Sequence, residues 1–236
     1  MFDAVHRNIH YLRLSVTDRC DLRCRYCMPD GIVPCAHEEV LTYEEFLRLA
    51  ALFAACGVDT VRVTGGEPLV RRGVEQLVAG LKVTPGIQKV VMTTNGVHLA
   101  QKLPALLDAG LDGVNISLDA LSPEVFARIT ARDKLPAVLA GLDAALNCGL
   151  PVKLNCVLQV GINETELEPL AALAQDRPLQ VRFIEMMPIG YGAAMPCLSG
   201  PELLARFQRR WPDLVRLSPA QSASLGDGPA VYYTVP

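Results

Sequence analysis

No uninterrupted apolar run in this sequence reaches the roughly 20 residues that a bilayer span needs. The opening MFDAVHRNIH also lacks the apolar stretch of a secretory leader. A soluble, cytoplasmic protein is the expectation, with no membrane partner. Basic residues do not dominate either: the formal net charge is −3 and no block of Lys and Arg stands out. A nucleic-acid-binding surface therefore gets no support, and an anionic ligand would have to be met by a few local cations. Neither low-complexity sequence nor a linker interrupts the chain. The histidines, His6, His10, His37 and His98, have no metal-binding or triad spacing, so a hydrolase built on Cys and His is a poor reading. What is present is 236 residues, half of them apolar, enough for one large core.

Cysteine is plentiful. Three of the eight, Cys20, Cys24 and Cys27, form a C-x3-C-x2-C array with Tyr26 just before the third thiol. A cubane 4Fe–4S cluster normally takes four thiolates, so a compact tripod with no fourth cysteine beside it leaves one iron open. Structural zinc wants four ligands, usually from paired C-x2-C elements, and no second pair follows. Zinc and three incidental thiols remain the alternatives. Cys35, Cys56, Cys148, Cys156 and Cys197 are scattered and receive no ligand role. Cys56 and Cys148 fall at predicted helix ends, where a small buried thiol is common. A chain of this size needs no disulfide staples, and a reducing compartment suits an iron–sulfur site.

Six short strand-like runs recur, from Tyr11, Thr60, Lys89, Gly113, Pro151 and Leu179, with helical stretches between them. Strict alternation implies a parallel sheet. Thr42 with Glu45 and Asn163 with Glu166 have capping-box spacing, and Ser122-Pro123 supplies an N-cap followed by proline. Gly57 and Gly110 fall where helices should stop, and Glu44, Glu45, Glu164 and Glu166 read as helix N-terminal charges. From about Met195 the chain is richer in Pro, Ser and Gly, so the expected division is a barrel over residues 1–195 and a less regular region over 196–236.

Alternate residues of a strand face opposite sides. Arg13, Ser15 and Thr17 share one face of the first run; Arg62 and Thr64, Thr93 and Asn95, Asn115, Ser117 and Asp119, and Lys153, Asn155 and Gln159 do so in later ones. A parallel sheet covered by helices on both sides would be apolar on both faces. An ordinary eight-stranded barrel fills its interior with Val, Ile and Leu. The expected fold is therefore α/β, an incomplete (β/α)6 TIM-like barrel with ligands in a polar lumen. The plainer alternative is that these polar residues sit only at strand ends.

The motifs cluster where barrel active sites gather, at the carboxyl ends of strands. The cysteine loop follows the first strand, TGGEP (Thr64–Pro68) the second, TTNG (Thr93–Gly96) the third, and Ser117-Leu118-Asp119 the fourth. Adjacent glycines permit positive φ or close approach of backbone to a ligand, though a Gly-Gly pair alone is equally a turn.

Together, CDLRCRYC and TGGEP resemble the cluster loop and GGE motif of the radical S-adenosylmethionine (SAM) superfamily. The resemblance implies one 4Fe–4S cluster on Cys20, Cys24 and Cys27, with SAM chelating the open iron. Its reductive cleavage would give a 5′-deoxyadenosyl radical that takes hydrogen from substrate. Within the superfamily the sequence is similar to the GTP 3′,8-cyclase family of molybdenum cofactor biosynthesis, from Tyr11 to about Met187. YLRLSVTDRCDLRCRYCMP, VRVTGGEPLVRR, TTNG, NISLDAL, VKLNCV and RFIEMMPIG carry the likeness. It implies a lyase with Arg13, Arg62, Thr93 and Lys153 contacting GTP, and Tyr26, Gly66, Ser117 and Met187 contacting SAM. Singly, Arg13 or Lys153 could equally serve an internal salt bridge, and Met187 the core. The implied partners are GTP, a flavodoxin-type reductant, a second pathway enzyme and, in a homodimer, another copy of the chain.

That family also carries a second cluster on a C-x2-C pair and a later cysteine, with flanking arginines and a terminal diglycine. None of these occurs here, and the sequence closes on Tyr232–Pro236 in a strand-like run. The expectation is a fragment or natural truncation of a cyclase, with two alternatives: another radical SAM enzyme, such as a peptide-modifying one, or a catalytically silent remnant.

Overall fold

Runs rich in Val, Ile and Thr form six short strands: β1 (Tyr11–Ser15), β2 (Thr60–Thr64), β3 (Lys89–Thr94), β4 (Gly113–Ser117), β5 (Val152–Val157) and β6 (Leu179–Ile184). They pair in sequence order and all in parallel. This computed structural model describes residues 4, 6–32, 35–226 and 230–235, and His37 by its backbone alone. Between the strands run α1 (Tyr43–Ala55), α2 (Val74–Lys82), α3 (Leu99–Asp108), α4 (Pro123–Thr130), α5 (Leu135–Asn147) and α6 (Leu167–Asp176). Among the described residues no pairing joins β6 to β1, so the sheet is open, and no helix is long and apolar enough to cross a membrane.

The outer face of the sheet and the helices share one core. Val61, Val63, Met92, Ile116 and Leu154 from the strands are fully buried, as are Leu77, Leu99 and Leu142 from the helices. Each such side chain contributes about 1.5–3 kcal/mol by leaving water. The inner face is polar along the strands, not merely at their ends. Arg13 pairs in register with Arg62, Asn115 with Lys153 and then Gln180, and Ser117 with Asn155 and then Arg182. Val91, Val157 and Ile184 are its apolar exceptions within the strands, standing in line with Thr93, Asn155 and Arg182.

Asn115 on β4 accepts from Arg62 Nη1 on β2 and, at 2.7 Å, from Arg182 Nη2 on β6, in the amide orientation that satisfies both neighbours. Side chains from every second strand thus meet above the inner face, as a rolled sheet requires.

Local signals hold in most places. Thr42 and Glu45 form a reciprocal capping box on α1, and Ser122 Oγ accepts from Val125 N at the start of α4. Gly57 and Gly110, at φ 98° and 87°, follow the ends of α1 and α3. Asn163 and Glu166 are a correction, for they form no capping box. Asn163 is fully buried and donates its amide to the Asp119 and Val157 carbonyls at 3.0 and 2.9 Å. Glu166 turns inward to accept from the amides of Leu121 and Ser122 at 2.7 and 3.0 Å. Buried backbone groups at the ends of β4 and β5 need partners more than a solvated helix end does.

Beyond β6 the chain is more regular than its composition suggested. Helix α7 (Gly200–Arg210) has a Ser199–Glu202 capping box, and its Phe207 packs between Phe183 and Trp211 at centroid distances of 5.0 and 5.7 Å. A two-residue antiparallel pair follows, β7 (Val215–Arg216) with β8 (Tyr233–Thr234). The strand expected over Tyr232–Pro236 thus covers Tyr233 and Thr234; Pro236 lies outside the described residues.

Candidate functional site

The loop after β1 is held by the loop after β2. Gly66 N donates to Thr17 O at 2.6 Å and Glu67 N to Arg19 O at 2.7 Å, continuing the β1–β2 ladder past the strand ends. A Cβ on Gly65 would stand 2.7 Å from Thr17 O, and one on Gly66 2.6 Å from Asp18 O. The glycines therefore serve close approach of backbone to backbone. Neither has positive φ, and the Gly66 amide is already donated to Thr17, whereas the sequence suggested positive φ or close approach to a ligand.

Cys20, Cys24 and Cys27 line one cavity of about 270 Å³, together with Tyr26, Gly66 and Ser117. Cys27 N and Met28 N both donate to Cys24 O, closing a turn that sets the thiols on one side. Burial pushes all three thiols up, Cys24 strongly. Free thiolates are thus disfavoured there, and a bound cationic centre would reverse that preference. Among the described residues no three His, Cys, Asp or Glu groups gather tightly enough for a single metal ion. A four-iron cluster makes a different demand, one soft thiolate for each of three separate irons. Three thiols on a shared cavity, with the neighbouring carboxylates engaged elsewhere, fit that demand.

Those carboxylates are Glu67 and Asp119. Glu67, 1% exposed, accepts from Leu69 N at 2.9 Å, Thr94 Oγ1 at 2.7 Å and Asn95 N at 2.6 Å. Burial raises its pKa to about 7 against those three donors. Asp119 accepts from Val157 N and from the Tyr26 hydroxyl, both at 2.8 Å, and burial raises it to about 6. Each acid ties together ends of different strands around the cavity.

The lumen below the cavity is cationic. Arg62 donates through Nη1 to Thr93 Oγ1 at 3.1 Å and through Nε to the Tyr11 hydroxyl. Arg182 joins it through Asn115, and burial lowers the Arg182 pKa. Arg13 is exposed to the open lumen on the same face. Lys153 Nζ donates to Leu225 O, from the segment that precedes β8. Among the described residues, Asn155 Oδ1, Gln180 Oε1 and Arg182 Nε are buried with no hydrogen-bond partner, as expected of a surface built for a polar occupant.

The structure therefore gathers Cys20, Cys24, Cys27, Tyr26, Gly66, Thr93 and Ser117 at one cavity and sets Arg62 against it. Arg13 and Lys153 lie on the same inner face. Met187 stands apart, 59% exposed on the loop after β6. Sequence reasoning gave no role to Glu67, Asn95, Asp119 or Arg182. Arg182 could have been found, since it continues the inward polar phase of LQVRFI; apart from Leu69, the partners of the two acids lie too far along the chain to show a local pattern.

The radical SAM superfamily model matches residues 14–174, and the chain belongs to that superfamily. The crystal structure of Streptococcus suis SuiB bound to S-adenosylmethionine shares the fold, with a TM-score of 0.64 at 17% identity over 86% of this chain and 47% of that one. Closer in sequence are two curated proteins named GTP 3′,8-cyclase. The one from Heliobacterium modesticaldum is 45% identical over 100% of this chain and 72% of its own length. The one from Moorella thermoacetica is also 45% identical, over 97% and 73%. Within the superfamily this chain is closely related to these bacterial cyclases.

Proposed function

We propose that the chain performs a radical SAM lyase reaction of the GTP 3′,8-cyclase type, converting GTP to (8S)-3′,8-cyclo-7,8-dihydroguanosine 5′-triphosphate in molybdenum cofactor biosynthesis. One side chain carries the reading. Thr93 lines the three-thiol cavity and accepts from Arg62, so the thiol cavity and the cationic lumen are contiguous. An anionic substrate held by the cations would present its other end to the cavity.

In this reading Cys20, Cys24 and Cys27 hold one 4Fe–4S cluster, and Tyr26, Gly66, Ser117 and Met187 contact SAM. Cluster and SAM, when bound, supply the 5′-deoxyadenosyl radical that takes the ribose 3′ hydrogen. The chain's own residues bind and orient. Arg13, Arg62 and Lys153, joined by Arg182, take the triphosphate, since charge-assisted pairs with phosphate oxygens are strong in a low-dielectric lumen. Thr93 fixes the nucleotide's height between the cations and the thiols. Glu67 and Asp119 hold the surrounding loops in register by their hydrogen bonds. Two rearrangements belong to the same reading: nucleotide displaces the Leu225 carbonyl from Lys153, and the loop bearing Met187 turns inward.

A flavodoxin-type reductant and a second enzyme that rearranges the cyclised nucleotide are the expected partners, with a homodimer as the assembly. The test uses anaerobically reconstituted protein, with iron and sulfide measured per chain and 5′-deoxyadenosine followed with and without GTP. About four irons, as one cubane cluster requires, with formation stimulated by GTP support the cyclase. The same iron content without a GTP response turns the reading to another radical SAM reaction, and no stable iron to a silent remnant.

A further inference from the structure

A line of polar contacts runs from a half-exposed histidine to one of the three thiols. His98 Nε2 lies 3.2 Å from Asp21 Oδ2. Asp21 Oδ1 accepts from Asn95 Nδ2 at 2.7 Å, and the same nitrogen reaches Cys20 Sγ at 3.8 Å. Asn95 is 8% exposed, and its Oδ1 accepts from Val97 N at 3.0 Å. These partners fix the amide orientation. Half a turn would set oxygen against a carboxylate and nitrogen against an N–H, so only one orientation satisfies both neighbours. The amide nitrogen carries two hydrogens, one for the carboxylate and one for the sulfur. Its backbone is pinned as well, through Asn95 N to Glu67 Oε2 at 2.6 Å.

The three sulfurs differ in this respect. Cys20 faces the Asn95 amide and the Leu22 backbone amide. Cys24 faces Tyr26, whose hydroxyl hydrogen goes to Asp119. For Cys27, among the described residues, burial alone acts on the thiol.

We infer that Asn95 is a redox-tuning residue, whose side-chain amide donates an N–H···S hydrogen bond to the Cys20 thiolate and raises the reduction potential of the cluster. This rests on the reading that the three thiolates hold a cluster. One-electron reduction by an external low-potential reductant adds negative charge that spreads onto the ligand sulfurs. A donor fixed at one of them stabilises the reduced form, and no proton is transferred. Asp21, gripped by His98, keeps the donor aimed.

The experiment is a potentiometric titration of the anaerobically reconstituted chain, followed by the electron paramagnetic resonance signal of the reduced cluster. Wild type is compared with Asn95→Leu and Asn95→Ser, with iron and sulfide measured on each. At fixed solution potential, the ratio of reduced to oxidised cluster should fall about tenfold in both variants, a midpoint about 59 mV lower for a one-electron couple. An unchanged or raised midpoint in variants with full iron content overturns the inference; a raised one is what simple water entry would produce. Should both variants lose iron, electron–nuclear double resonance on wild type labelled with 15N-asparagine decides. A nitrogen coupling to the reduced cluster supports the bond, and its absence overturns it. A wild type that assembles no cluster fails the three-thiolate reading itself, and that shows in the iron analysis before any potential is measured.

Discussion

The Tyr26 hydroxyl donates to Asp119 Oδ2 at 2.8 Å. Tyr26 lies in the cysteine loop after β1 and Asp119 just past β4, so one hydrogen bond spans elements three strands apart. Asp119 Oδ1 accepts from Val157 N at the end of β5. The cysteine loop is therefore fastened to the far side of the rolled sheet through a buried carboxylate, and only then can its thiols share a cavity with Ser117.

Tyr26→Phe removes one of the two groups that satisfy Asp119. A buried acceptor left short of a donor costs about 1–3 kcal/mol. Urea denaturation of the cluster-free variant should show a loss of that size. Unchanged stability would mean that the bond does not fasten the loop.

Cys24→Ala leaves two thiols, too few to hold three irons of a cubane. Reconstitution should yield no stable iron–sulfur absorption. A band near wild-type intensity would dismiss the tripod.

Gly66→Ala puts a methyl group against the Arg19 and Asp18 carbonyls. Backbone atoms cannot swing aside as a flexible side chain can, so the cysteine loop must separate from the loop after β2. Overpacking of this kind costs about 1–3 kcal/mol, and bound iron per chain should fall with it. A variant with wild-type melting temperature and iron content would refute this account of the glycine.

Much of this was legible locally. Strand starts followed from β-branched runs, and the polar lumen from the alternation of Arg13, Arg62, Asn115 and Lys153 against Leu14, Val63, Ile116 and Leu154. Tertiary demands were not legible. Asn163 and Glu166 have the same spacing as Thr42 and Glu45, yet buried backbone groups elsewhere claim both side chains. Glu67 looks like an ordinary acid in a Gly-Pro turn until three donors from two segments close on it. Asn95 and Cys20 meet across 75 residues of chain, and no window of sequence contains both.

Arg62→Ala removes a guanidinium from the lumen while leaving the thiols untouched. A lost charge-assisted contact is worth about 1.5–3 kcal/mol, or roughly 10- to 150-fold in affinity. Calorimetric titration with GTP should show weakening in that range at unchanged iron content. Equal affinity in variant and wild type would take Arg62 out of the phosphate site.

Glu67 gives the protein a pH dependence whose sign follows from burial. Its carboxyl is raised from 4.5 to about 7 in the folded chain, by desolvation first, with three hydrogen bonds opposing. Between those values the native state holds a proton that the unfolded state has released, so stability falls as pH rises through the window. The contribution is complete below about 4.5 and gone above about 7, on the order of 3 kcal/mol at 1.36 kcal/mol for each tenfold change in proton affinity. Glu67→Gln removes the titration, although its amide nitrogen then meets a backbone N–H and lowers stability at every pH. Urea denaturation of cluster-free wild type and variant from pH 4 to 8 should therefore show the stability of wild type relative to the variant falling steadily as pH rises, by about 3 kcal/mol in all. A constant gap would mean that Glu67 stays ionised throughout, held by Leu69, Thr94 and Asn95 more strongly than burial disfavours its charge.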